Sequence, residues 1–126
     1  MNYKPSILVV EDEPSIRRAF ETILHRRGDL NYVIAQNQSL ALSAIEKIPF
    51  DILLSDHRLP DGNGNQVARA FLLKNPDAYL ISMSGGDTDL VDQKLFNTQL
   101  EKPIPMDVIN QTLDEAIAEV ARRKQI

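Results

Sequence analysis

The chain has 126 residues, of which 43% are hydrophobic and 25% charged, a composition typical of one ordinary globular domain. We therefore expect residues 1–126 to form a single domain with a substantial core. The lack of cysteine excludes disulfides and thiolate metal sites, and the net charge of −4 argues against direct nucleic acid binding. The apolar run near the N-terminus is too short for a secretory signal or a membrane span, which predicts a cytosolic protein without membrane association.

The first half of the chain predicts two strand and helix pairs. Ile7 to Val10 is an apolar run that predicts the first strand, and Pro14 to Arg27 has apolar residues at helical spacing. Tyr32 to Ala35 predicts the second strand. Ser39 can cap a second helix, which must end before Pro49.

The second half continues this alternation. Ile52 to Ser55 predicts the third strand, Gln66 to Lys74 the next amphipathic helix, and Tyr79 to Met83 the fourth strand. A weaker fifth strand is predicted around Leu100, and Met106 to Arg123 predicts the last helix. Such alternation indicates an α/β protein whose parallel sheet is covered by helices on both faces.

Polar residues of complementary chemistry follow four of the predicted strands. They are Glu11-Asp12-Glu13, Asp56, Ser84-Gly85-Gly86 and Glu101-Lys102-Pro103. In open parallel sheets, ligands bind at the carboxyl ends of the strands near the topological switch point, so these residues are the candidates for a site. At about 4 Å, the carboxylates of Asp12 and Asp56 would repel each other by about 4 kcal/mol at an effective dielectric of 20. Lys102 offsets part of this repulsion, and the carboxylates suit a hard divalent ion such as Mg²⁺.

These groups also suit phosphoryl transfer, which depends mainly on positioning and on neutralising the charge of the moving oxygens. A carboxylate such as that of Asp56 can act as the covalent nucleophile. The Ser84 hydroxyl and the Gly85 amide could donate hydrogen bonds to phosphoryl oxygens, and the Lys102 ammonium could neutralise another.

Each motif taken alone also has a purely structural interpretation. An acidic pair after a strand is often only the solvated start of a helix, and Asp56 with the loop after it could form a turn. Gly62 and Gly64 are typical loop glycines. We expect His25 to cap a helix end or face solvent and His57 to be an exposed loop residue. Neither has a second histidine or a cysteine with which to make a zinc site.

The chain resembles the receiver domain of bacterial two-component response regulators, the family of the chemotaxis response regulator, over essentially its whole length. The segments that carry the resemblance are ILVVEDEP, LLSDHRLPDGNG, ISMSGG and EKPI. The resemblance implies a flavodoxin-like, doubly wound, five-stranded parallel sheet with strand order 2-1-3-4-5. It also implies that Asp56 is the phosphoacceptor, assisted by Ser84 and Lys102, with the backbone amide of Gly85 contacting the phosphoryl group.

The same resemblance implies a site for Mg²⁺ or Mn²⁺. Its ligands would be Glu11, Asp12, Asp56 and the backbone carbonyl of Arg58. A cis peptide bond is expected between Lys102 and Pro103, since the family commonly has one there.

The function implied by the resemblance is two-component signal transduction. A phosphohistidine of a sensor histidine kinase or a phosphotransfer protein would supply the phosphoryl group to Asp56, and hydrolysis would then remove it. The domain would catalyse its own modification without being a conventional enzyme. Further candidate partners are a second copy of the chain and an output domain.

The sequence departs from the family pattern in two places. Gln99 stands where the family typically has Tyr or Phe, and the stretch between Ser84 and Lys102 is about one helical turn short. The second departure predicts a short or irregular fourth helix. Both leave open an alternative, a receiver-like interaction module that signals largely independently of phosphorylation. A flavodoxin-like cofactor binder or an aspartate-nucleophile phosphatase fits poorly, because the phosphate loop and the strand 1 Asp-x-Asp motif are missing.

Overall fold

A five-stranded parallel sheet forms the centre of the computed structural model, which describes residues 3–124. Its strands, in the spatial order β2-β1-β3-β4-β5, are β1 (Ser6–Val10), β2 (Asn31–Ala35), β3 (Ile52–Asp56), β4 (Tyr79–Ser84) and β5 (Thr98–Glu101). All neighbouring strands run parallel. The predicted sheet and its strand order are confirmed.

Four α-helices within residues 3–124 pack on this sheet. They are α1 (Pro14–Arg27), α2 (Gln38–Lys47), α3 (Gly64–Lys74) and α4 (Met106–Arg123). The bounds predicted for the first and last helices are confirmed. In the described part of the chain, no helix is both long and apolar enough to cross a bilayer.

The caps of α2 and α3 differ from the sequence predictions. Ser39 does not cap α2; the side chain of Asn37 does, by accepting the N–H of Leu40 at 2.8 Å. Asp61, from the loop after β3, accepts the N–H groups of Gln38 and Ser39 at 2.7 and 2.9 Å. These acceptors satisfy backbone donors of the first turn, so α2 can begin before Ser39.

The α3 helix begins at Gly64, two residues earlier than predicted. The side chain of Asn63 caps it by accepting the N–H of Gln66 at 3.0 Å. Asn63 also belongs to a two-residue hairpin strand, Gly62–Asn63, which pairs antiparallel with Arg58–Leu59. The hairpin thus delivers the chain from the end of β3 directly into the helix.

Alternate residues of the buried strands point to opposite faces of the sheet. On β1, Ile7 and Val9 join a core that includes buried residues of α1 and α4, whereas Leu8 and Val10 join the core beneath α2 and α3. Burial on both faces explains why the strands have nearly continuous apolar sequences.

The crossover between β4 and β5 (residues 85–97) is irregular. It contains two single-turn 3₁₀ helices, Thr88–Leu90 and Gln93–Leu95, and it is the one connection between strands of this sheet, within residues 3–124, that lacks an α-helix. This confirms the prediction of a short or irregular fourth helix. Val91 and Phe96 bury their side chains in the core beneath α2 and α3, which keeps the crossover packed without regular structure.

The side chain of Asn65, in α3, fastens the middle of the crossover at two points. Asn65 donates from Nδ2 to the carbonyl oxygen of Leu90 at 3.0 Å, and its Oδ1 accepts the N–H of Asp92 at 3.0 Å. Beyond the crossover, Gln99 is half-buried in β5 and pairs in register with Ser82 of β4.

Candidate functional site

Three carboxylates meet at the carboxyl ends of β1 and β3. Glu11 and Asp12 directly follow β1, and Asp56 is the last residue of β3; Val10 pairs in register with Ser55. One oxygen atom from each carboxylate lies within 4.8 Å of those of the other two. Glu11 and Asp56 are buried, whereas Asp12 is exposed. The structure therefore brings together the three side chains predicted to bind a metal ion.

The ammonium group of Lys102 bridges two of these carboxylates. Its Nζ donates to Oε1 of Glu11 at 2.8 Å and to Oδ2 of Asp56 at 2.9 Å. The backbone N–H of Lys102 donates to the carbonyl oxygen of Ser84 at 2.7 Å, which fastens this residue beside the end of β4. The expected cis peptide bond between Lys102 and Pro103 is confirmed.

Burial and charge act against each other on the ionisation of these groups. Burial raises the pKa of Glu11, although hydrogen bonds from Lys102 and from the N–H of Glu13 lower it in part; the charge of Asp56 raises it again. Burial alone would lower the pKa of Lys102, but its hydrogen bonds to Glu11 and Asp56 raise it above the ordinary value. Lys102 is therefore an ammonium ion at neutral pH, and it offsets only part of the negative charge.

The two residues predicted to contact a phosphoryl group bond to the crossover instead. Ser84 is buried at the end of β4, and its hydroxyl shares a hydrogen bond of 3.1 Å with that of Thr88. The backbone N–H of Gly85 donates to Oδ1 of Asp87 at 3.2 Å. Both groups thus already have partners in this structure.

A surface cavity of about 510 Å³ opens at this edge of the sheet. All of the predicted site residues line it except Ser84. The side chain of Arg58 is largely exposed, and its Nε lies 3.5 Å from Oδ2 of Asp87, which lines the same cavity. The backbone carbonyl of Arg58 as a metal ligand stays a prediction.

Sequence reasoning missed Asp87. Its side chain is buried, although it follows two glycines in a stretch that predicted only the start of an irregular helix. The signal that could have found it is its place three residues after Ser84, at the same strand end. A carboxylate that lines the same cavity as the other acidic groups is repelled by them, so it requires a cation or a hydrogen-bond donor as a partner.

The prediction that His57 is an exposed loop residue is wrong, because His57 is buried. Its backbone N–H donates to the carbonyl oxygen of Met83 at 2.8 Å, and its carbonyl accepts the N–H of Gly64 at 2.8 Å. These bonds hold the backbone of His57 beside β4 and the start of α3, directly after the end of β3. Its Nδ1 has no hydrogen-bond partner among residues 3–124. His25 is exposed in the last turn of α1, as expected.

The comparison with protein families agrees with this fold. A family model described as the response regulator receiver domain matches residues 7–118. The response regulator protein PilR of Pseudomonas aeruginosa is 34% identical over 89 residues, which cover 70% of this chain and 20% of PilR. The DNA-binding response regulator MtrA of Mycolicibacterium smegmatis is 36% identical over 86 residues, which cover 68% of this chain and 36% of MtrA. The match therefore spans only a minor part of these longer relatives.

Solved structures share the fold. A CheY-like response regulator receiver domain protein from Methanospirillum hungatei superposes with a TM-score of 0.86 at 22% identity, covering 95% of this chain and 98% of that one. A receiver domain of a sensor histidine kinase from Pseudomonas aeruginosa, described with a magnesium ion coordinated in its active site cleft, gives a TM-score of 0.79 at 23% identity, with coverages of 92% and 99%.

These findings define a signalling module of the kind found in two-component systems. The chain belongs to the response regulator receiver domain family.

Proposed function

We propose that residues 1–126 are one phosphoryl-accepting receiver domain, acting in the cytosol, and that Asp56 receives the phosphoryl group. The donor would be a phosphohistidine of a sensor histidine kinase or a phosphotransfer protein. The observation that supports this most directly is the buried Asp56 carboxylate, held by Lys102 at 2.9 Å on the edge where Glu11 and Asp12 also meet. An ionised carboxylate in such a place can act as a covalent nucleophile.

The proposed reaction has two steps. In the first, a carboxylate oxygen of Asp56 forms a bond to phosphorus while the bond between phosphorus and the donor imidazole nitrogen breaks, and the imidazole leaves. In the second, a water oxygen attacks phosphorus, the acyl phosphate bond to Asp56 breaks, and phosphate and a proton are released. Both steps require that the charge on the phosphoryl oxygens be neutralised at fixed positions.

Three groups of the chain can supply that neutralisation. Lys102 already contacts Asp56, so its ammonium lies within reach of a phosphoryl group attached there. The N–H of Gly85 and the hydroxyl of Ser84 are the further donors, and each would exchange its present partner in the crossover for a phosphoryl oxygen. The ammonium group of Lys102 is thus in place before phosphoryl transfer, whereas Ser84 and Gly85 must first break their present hydrogen bonds.

Glu11, Asp12, Asp56 and the backbone carbonyl of Arg58 would hold a Mg²⁺ or Mn²⁺ ion. The donor set fits such an ion, because hard divalent cations prefer carboxylate and carbonyl oxygens and the three carboxylates meet within 4.8 Å. When bound, the cation would supply positive charge to the phosphoryl group and relieve the repulsion among the carboxylates. The similar receiver domain described with a magnesium ion in its cleft supports this assignment.

Incubation with phosphoramidate and Mg²⁺, followed by mass spectrometry, tests the proposal. We expect the wild type to gain one phosphoryl group, and Asp56→Asn to gain none. Asp89→Asn is the matched control, because Asp89 is an exposed acid in the crossover, and it should be modified like the wild type. A modified Asp56→Asn variant, or a wild type that stays unmodified, would contradict the assignment.

A second candidate function is an interaction module that signals largely independently of phosphorylation. The irregular crossover and Gln99 favour it, because they replace the helix and the aromatic residue through which the family usually reports phosphorylation. Sedimentation of the phosphorylated and unphosphorylated protein, alone and with candidate partners, separates the two functions. Normal phosphorylation without any change in association would favour the second.

A further inference from the structure

Both oxygen atoms of the buried Asp87 carboxylate have a contact at the edge of the site. Its Oδ1 accepts the N–H of Gly85 at 3.2 Å, and its Oδ2 lies 3.5 Å from Nε of Arg58. The Asp87 side chain is 8% exposed and that of Arg58 is 79% exposed. An inner carboxylate is therefore covered by an outer guanidinium that solvent reaches freely.

The backbone around Asp87 directs this side chain toward Gly85. Gly86 lies in a bend between the two residues and has a φ of 92°, a conformation that favours glycine. Asp87 precedes the 3₁₀ turn Thr88–Leu90, where an aspartate commonly caps the free N–H groups. Its side chain makes no such cap and bonds to Gly85 instead.

This bond conflicts with the role proposed for Gly85. The amide of Gly85 has one hydrogen. It can donate a hydrogen bond to a phosphoryl oxygen only if its hydrogen bond to the carboxylate of Asp87 breaks. Asp87 also adds a fifth carboxylate to a cavity that Glu11, Asp12, Glu13 and Asp56 already line. A phosphoryl group, itself an anion, is repelled by that charge.

We propose that Asp87 is an internal competitor of the phosphoryl group, which holds the Gly85 amide in the unphosphorylated protein and releases it when Asp56 is phosphorylated. The inference rests on the proposed function and concerns the regulation of the same site. Arg58, once separated from Asp87, would be free to bond a phosphoryl oxygen, because an exposed guanidinium can exchange one anion for another.

The exchange gives the crossover a way to respond to phosphorylation. Two hydrogen bonds join the site to the start of the crossover, one from Gly85 to Asp87 and one between Ser84 and Thr88, and phosphoryl oxygens would replace both. The clamp made by Asn65 lies further along, so it would hold the rest of the crossover in place. The moving part would be residues 86–89, and no aromatic residue at position 99 is needed.

Titration with beryllofluoride and Mg²⁺, followed by ¹⁹F NMR, tests the competition. Asp87→Ala should bind the phosphoryl analogue about tenfold more tightly than the wild type, since a hydrogen bond to a charged group no longer has to be broken. Asp87→Asn should show a smaller gain, because its amide oxygen can still accept the N–H of Gly85. Asp89→Ala removes an equal charge from the exposed side of the same turn, and its affinity should match the wild type.

The amide resonance of Gly85 gives a second readout that does not depend on affinity. Without ligand, it should shift in Asp87→Ala relative to the wild type, and beryllofluoride should shift it in both proteins. Equal or weaker binding by Asp87→Ala would overturn the inference while leaving the proposed function intact. If neither protein bound beryllofluoride, the proposed function would fail, and the inference with it.

Discussion

The replacement of Asp12 by asparagine isolates the electrostatic cost of the carboxylate cluster. Asp12 is exposed, and the contact that Arg17 makes with it goes to its backbone carbonyl at 2.5 Å, so the substitution leaves that contact in place. Asparagine has nearly the same size and keeps a carbonyl oxygen. The main change is therefore the loss of one negative charge beside Glu11 and Asp56.

The expected effect follows from the separation of the ligand atoms. At 4.8 Å, two unit charges repel each other by about 0.9 kcal/mol in water and by about 3.5 kcal/mol at an effective dielectric of 20. Asp12 is exposed, so salt screens its charge, and the ammonium group of Lys102 offsets part of the repulsion. The smaller of the two repulsion energies, the one in water, therefore applies. We expect Asp12→Asn to raise the free energy of unfolding of the metal-free protein by about 1 kcal/mol, or the melting temperature by roughly 4 °C.

Urea unfolding, followed by circular dichroism in EDTA and again in Mg²⁺, measures this effect. The wild type should gain stability from Mg²⁺, because an ion that binds only the folded state stabilises it, and the variant should gain much less. Asp12→Asn should thus be the more stable protein in EDTA and the less stable one in Mg²⁺.

Glu21→Gln, which removes an exposed charge from the middle of α1, serves as the control and should show neither change. If Asp12→Asn were less stable than the wild type in EDTA, or gained as much from Mg²⁺, the reasoning about repulsion and the metal site would be refuted.

Three further predictions concern groups around Asp56. Lys102→Met should lower the free energy of unfolding in urea by about 3 kcal/mol, because Glu11 would keep a buried charge without its partner. The metal-free wild type should lose stability as the pH rises from 4.5, the ordinary pKa of glutamate, through the raised pKa of Glu11. The reason is that the folded state retains a proton in this range that the unfolded state releases. Urea titrations across this range should show no such loss in Glu11→Gln. Gly64→Ala should shift the urea midpoint downward by the equivalent of about 1–3 kcal/mol, because its Cβ would lie 2.7 Å from the carbonyl oxygen of Asp56. An unchanged midpoint would show that the loop can move aside.

The crossover between β4 and β5 connects the site to the rest of the molecule. The crossover after β4 has only two 3₁₀ turns, and its first residues supply both Thr88 and Asp87 as partners of the predicted phosphoryl-contacting groups. Short 3₁₀ segments have weaker hydrogen-bond geometry than α-helices, so the crossover can rearrange at lower cost than a full helix.

The sequence by itself was sufficient for the parallel sheet and the place of the acidic groups, whereas the strand order came from the resemblance to the receiver family. Runs such as Ile52 to Ser55 predict buried strands because apolar side chains on both faces require cover, and alternation with helices makes the sheet parallel. The carboxyl ends of parallel strands lie at one edge, so residues that follow different strands, such as Asp12 and Lys102, are brought near Asp56.

Only the tertiary structure decided the contacts between segments that are distant in sequence or that fold back on themselves. Asp61 joins the start of α2 from 22 residues away, which a local capping rule applied to Ser39 cannot predict. His57, directly after the end of β3, is buried where backbone bonds join it to Met83 and Gly64. Asp87 bonds to Gly85 across a bend in which Gly86 has a positive φ, and the sequence patterns do not specify this backbone conformation. Local patterns therefore fixed which residues surround Asp56, whereas long-range hydrogen bonds and backbone turns fixed which partners those residues hold.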